Sequence, residues 1–75
     1  MAYLRKRSLS LAGHATSLAL EPEFWTVLEG MARTREVSLS DLVAGIDSAR
    51  GESPLASACR VAALAFAQAE GTAGQ

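Results

Sequence analysis

Arg5, Lys6 and Arg7 are three consecutive cations in a stretch with no acidic residue before Glu21. A cluster of this kind suits the neutralisation of phosphate oxygens, by point charge from lysine and by a bidentate fork from arginine. The polar residues that follow offer little other chemistry. Ser8, Ser10 and Ser17 lack a G-x-S-x-G elbow and a base partner, so none reads as a nucleophile. His14 is the only histidine; it can make neither a triad nor a metal site, and a structural hydrogen bond or a phosphate contact is left to it. Cys59 is the only cysteine, which excludes an intrachain disulfide and a cysteine-based metal site. Its alanine-rich surroundings suit a small buried thiol and a reducing compartment. No glycine-rich phosphate loop is present. The expectation is a protein that is not an enzyme, with no catalytic residue, cofactor or metal.

Seventy-five residues make one small domain that buries a modest share of its surface alone. Hydrophobic residues make up 49% of the chain, but fifteen residues are alanines, so large core side chains are few and a partner is expected to complete the core. The net charge of −1 gives no overall pull toward polyanions. Its distribution does: the N-terminal arm is positive and the remainder acidic. No apolar segment has signal-peptide or membrane-spanning length, and a cytoplasmic protein without membrane contact is expected.

The elements that must position these groups begin at Gly13. Thr16, Leu18 and Leu20 share one parity and Ala15, Ser17 and Ala19 the other, so the spacing predicts a strand with an oily face and a small, neutral face. Ser8 to Leu11 alternates too, with a parity flip that requires a bulge or turn at Ala12-Gly13. Three arrangements are open to this arm: extending a ribbon, folding back as a hairpin strand, or staying mobile. Pro22 opens the first helix, with Phe24, Leu28 and Met31 on its core face, Trp25 and Val27 on the flanks, and an end near Thr34. Ser38 caps the second helix, with Asp41 three residues on; its stripe is Leu39, Leu42, Val43 and Ile46, and Gly51 stops it. Ser53-Pro54 opens a third helix lined by Leu55, Ala58, Cys59, Ala62 and Phe66. The tail after Glu70 is expected to be disordered. In domain terms this gives a basic arm over 1–12, a folded domain over 13–70 and a tail over 71–75.

A strand of this alternation, followed by Glu-Pro-Glu-Phe-Trp at a helix start and a serine-capped second helix, resembles the ribbon-helix-helix family of Arc- and MetJ-like DNA-binding proteins. The segments RKRSLSLAGH, TSLALEPEFW, SLSDLVAGIDSARG and LASACRV are similar to the compact bacterial subfamily of uncharacterised ribbon-helix-helix domain proteins. The resemblance implies a mainly α fold with one β-strand and an added C-terminal helix. It further implies an intertwined homodimer whose two strands form an intermolecular antiparallel ribbon in the DNA major groove. The base-facing positions would be Ala15, Ser17 and Ala19, and the phosphate contacts Arg5, Lys6, Arg7, Ser38 and Leu39. Relatives often carry arginine at the position of Ala15, serine at that of Ala19 and glycine at that of Glu36. The dimer core would be Leu18, Leu20, Phe24, Leu28, Leu42 and Ile46. Backbone accounting supports the same pairing, because a lone strand needs a ladder partner. The expected function is that of a sequence-specific DNA-binding homodimer, a transcriptional regulator or antitoxin-like repressor with a toxin or other protein as a further partner. The alternative is a ribbon-helix-helix dimer that holds a protein and not DNA.

Overall fold

The computed structural model describes residues 3–73 and contains two strands and three helices in the order β1 (Arg5–Leu11), β2 (His14–Leu20), α1 (Pro22–Arg35), α2 (Leu39–Ala49) and α3 (Leu55–Ala73). The expectation of a single strand is therefore corrected. The arm folds back as β1 and pairs antiparallel with β2 over seven positions, from Arg5 opposite Leu20 to Leu11 opposite His14. The reversal occurs at Ala12 and Gly13, which both take positive φ, 53° and 84°, the requirement of the tight hairpin turn whose twist matches the strands it joins. Glycine adopts this at no steric cost, and alanine with some strain. The backbone partner expected from a second chain is thus found, for one edge of β2, within the same chain.

This pairing solves the parity problem. Cross-strand partners share a face, so Leu9 and Leu11 of β1 join Leu18 and Leu20 of β2 beneath the sheet, and all four are buried. The core beneath them holds Trp25, Leu28, Met31 and Ala32 from α1, Leu42 and Val43 from α2, and Cys59 and Ala63 from α3. Helix α2 packs on β1, α3 on β2, and α1 on both other helices.

Helix α1 starts at Pro22 as its sequence implies, with the Glu21 carbonyl accepting from the N–H groups of Phe24 and Trp25. Its buried face is rotated from the expected one: Trp25 is buried at 2% exposure, whereas Phe24 is half-buried. The rotation follows from β1, which covers the Trp25 side; the indole Nε1–H donates to the Arg5 carbonyl at 2.8 Å. The helix ends with Glu36 at φ 59°. Its N–H donates to the Arg33 carbonyl and that of Val37 to the Ala32 carbonyl, a Schellman closure. A β-carbon stands where glycine would be unstrained.

Ser38 caps α2, its hydroxyl accepting from the Asp41 N–H at 3.0 Å. Gly51, at φ 61°, lies just beyond that helix. Helix α3 begins one residue later than expected, at Leu55, with the Pro54 carbonyl accepting from the Ala58 N–H. It also runs to Ala73, three residues into the stretch expected to lack structure. The alanine-rich run before Glu70 favours propagation strongly enough to pass Gly71. Gly74 and Gln75, the rest of that expected tail, lie outside the described residues.

Candidate nucleic-acid interface

The hairpin has two unlike faces. Beneath it is the core; above it stand Lys6, Ser8 and Ser10 from β1 and Ala15, Ser17 and Ala19 from β2, paired Lys6 with Ala19, Ser8 with Ser17 and Ser10 with Ala15. All six are exposed except Ala19, which is half-buried. No side chain on this face is larger than serine apart from Lys6, so the sheet backbone can approach another surface closely. Three hydroxyls that can each donate or accept and one ammonium give the face its hydrogen-bonding capacity.

The three residues expected to face bases, Ala15, Ser17 and Ala19, do share this face. Lys6, Ser8 and Ser10 complete it. Ser8 and Ser10 carry no motif of their own, and their alternation with Leu9 and Leu11 is the sequence signal that places them here. A strand paired with β2 must present its even-numbered residues on the same side as Ser17.

The same alternation separates the basic cluster. Lys6 points to the outer face, while Arg5 and Arg7 belong to the inner side, at the open end of the hairpin. Arg7 lies over the indole of Trp25, with its guanidinium carbon 4.7 Å from the ring centroid, and donates to Glu29 at 2.8 Å. Arg5 has its guanidinium 5.6 Å from the centroid of the Tyr3 ring. Together with Pro22, Trp25, Thr26 and Glu29 the three cations line an open cleft of about 360 Å³. Arg7 is therefore engaged within the chain, and Lys6 is the cation of the trio that stands beside the serines.

Ser38 and Leu39 stand away from the sheet sequence, at the start of α2. The first N–H groups of a helix have no intrahelical acceptor, which leaves those of Leu39 and Ser40 for an external anion. The side chain of Asp41 occupies the same first turn, and its charge opposes a phosphate there.

His14 is exposed at the start of β2, beside the turn. Cys59 is buried and free. Burial, reinforced by the Asp47 carboxylate, pushes its thiol above the ordinary range, so it stays protonated and unreactive at neutral pH. The Arg60 guanidinium, which donates to Glu21 at 2.9 Å, holds that carboxyl below its ordinary value. This pair links α3 to the end of β2 at the surface. Among the described residues no group of three or more histidine, cysteine or carboxylate side chains could hold a metal ion, and no helix is long and apolar enough to cross a membrane.

A sequence profile described as a ribbon-helix-helix domain matches residues 4–67, and the chain belongs to that family. Domains of the family are typically non-enzymatic, bind DNA as transcription regulators and form dimers. No curated protein and no solved structure matches the chain.

Proposed function

We propose that this chain is a sequence-specific DNA-binding homodimer, a transcriptional regulator or antitoxin-like repressor, that lays the outer face of its β-sheet in the major groove. The observation that carries this reading is the face itself. Lys6, Ser8, Ser10, Ala15, Ser17 and Ala19 form a narrow surface of short side chains with hydroxyls at its centre and a cation at its edge. A major groove about 12 Å wide admits a two-stranded ribbon, and short side chains bring its backbone near the base edges. The serines supply hydrogen bonds of modest discrimination, and the alanines supply methyl contacts, chiefly to thymine. Lys6, with Arg5 at the open end, neutralises flanking phosphates, and the free N–H groups around Ser38 and Leu39 hold another.

For the dimer, Phe24 and Ile46 are the expected seam residues whose surface one chain leaves partly open. Leu18, Leu20, Leu28 and Leu42 are already buried within a single chain, so a second chain adds to the core and does not create it. A second reading, a dimer that holds a protein and not DNA, is favoured by Val61 and Leu64 on α3, which are 64% and 54% exposed.

The test is the salt dependence of duplex binding. The affinity of the intact chain falls linearly on a log–log scale with salt, and Lys6→Ala, which removes one lysine from each chain of the dimer, reduces the slope by about two while weakening binding to all sequences alike. Absence of DNA retention at low salt from a random-sequence duplex library would sink this reading and leave the protein-holding dimer.

A further inference from the structure

The outward side of α3 lacks the charges that a solvated helix face carries. From Ser57 to Ala69 no exposed residue of this helix is charged; Arg60, the one charged residue in the stretch, is half-buried and turned to Glu21. Ser57, Val61, Leu64 and Gln68 stand four, three and four residues apart and are all exposed, the spacing of a seam along which two helices pair. They lie on the side of α3 opposite its core-facing Cys59 and Ala63. Beside the N-terminal half of this seam an open groove of about 360 Å³ runs between α2 and α3, with Ile46, Ala58, Val61 and Ala62 on its apolar walls. Leu64 stands exposed about one turn beyond the groove.

We propose that α3 pairs antiparallel with the α3 of a second copy, the Leu64 of each chain entering the groove between α2 and α3 of the other. The contact stands apart from DNA binding and extends the homodimer given above to a surface away from the strands. A two-fold axis between positions 61 and 64 sets each Val61 against the Leu64 of the second copy and each Ser57 against its Gln68. Projection and groove lie on the same chain, so one two-fold operation satisfies both, as an isologous interface requires. The apolar pair falls at the centre, and a hydroxyl and an amide that can each donate and accept close the two ends. Parallel pairing has no such fit, because it sets Leu64 against Leu64, a turn away from the groove. Charge selects the occupant. An uncharged face gives a charged foreign partner nothing to pair with, whereas two copies meet there without like-charge repulsion, and the flanking Ala58 and Ala65 let the helix axes approach closely. Ile46, whose surface one chain leaves partly open, is covered in the same step.

The experiment is disulfide trapping in the full chain under a glutathione redox couple, read on a non-reducing gel. Ser57 and Gln68 are both exposed, so cysteines there leave the core intact, and the chain's own Cys59 is buried. Within one chain the two positions are about 16 Å apart along the helix, too far for a bridge. In the antiparallel register Ser57 of the second copy lies level with Gln68, so two Ser57 positions are equally far apart. The double variant Ser57→Cys/Gln68→Cys is therefore expected to form a covalent dimer, and each single variant none. Adding Leu64→Lys, at an exposed position that tolerates charge in the separate chain, lowers the cross-linked fraction about tenfold; an unchanged far-UV spectrum checks folding, and an unchanged fraction overturns the proposal. Cross-linking of either single variant as readily as the double one means parallel or random contact and also overturns it. So does a double variant that stays uncross-linked while sedimentation shows the parent chain associating, which leaves this face to a foreign protein. A parent chain that sediments as a monomer removes the homodimer itself, and this contact with it.

Discussion

Leu18→Asp is expected to abolish folding. Leu18 is 4% exposed, beneath the sheet and against the core. Its cross-strand partner is a cation, Arg7, but Arg7 is already bound to Glu29 at the exposed rim. A carboxylate at position 18 would be desolvated without a partner, at a cost of several kcal/mol, and the leucine contacts would be lost as well. A chain of 75 residues at about 0.05–0.15 kcal/mol per residue has roughly 4–11 kcal/mol in total. The single substitution removes most of it. Ser17→Ala, one residue away on the opposite face, should alter stability by no more than about 0.5 kcal/mol. Far-UV circular dichroism and thermal melting separate the two; a Leu18→Asp variant that melts like the parent would mean that the two faces of β2 have been assigned the wrong way round.

Trp25→Ala has the second-largest expected effect, about 3–5 kcal/mol. The indole is 2% exposed, fills the space between α1 and the hairpin, donates to the Arg5 carbonyl at 2.8 Å and carries the Arg7 guanidinium on its face. Its removal leaves a cavity, frees the first residue of β1 and takes away a cation–π contact of about 0.5–1 kcal/mol at this partly exposed site. Phe24→Ala should cost clearly less, because that ring is only half-buried. Urea unfolding measures both. A Trp25→Ala midpoint at or above that of Phe24→Ala would contradict the docking of β1 on α1.

Much of this arrangement is legible in the chain because it depends on local rules. Alternation in Ala15 to Leu20 specifies β2 and its two faces, Pro22 specifies the start of α1, and Ser38 with its N–H three residues on specifies the cap of α2. The positive φ at Gly13 and the left-handed Glu36 are also foreseeable, the first from a parity flip and the second from a turn that usually takes glycine. The pairing of β1 is not, because Ala-Gly is a weaker turn signal than Asn-Gly and strand alternation does not name a partner. The same holds for the rotation of α1. Apolar residues at positions 24, 25, 27, 28 and 31 define a broad stripe, and only the elements lying on it decide whether Phe24 or Trp25 is at its centre. For the site, local pattern identified half of the outer face. The remainder, Lys6, Ser8 and Ser10, depends on the pairing, as does the separation of Lys6 from Arg5 and Arg7.

Contact between the outer face of the hairpin and DNA can be mapped by titrating isotope-labelled protein with the duplex it selects from a random pool and following the backbone amide resonances. The largest shifts are expected on Lys6, Ser8, Ser10, Ala15, Ser17 and Ala19, with a second group at Leu39 and Ser40, while Val61 and Leu64 on α3 stay in place. Shifts concentrated on α3 with the hairpin resonances unmoved would contradict it.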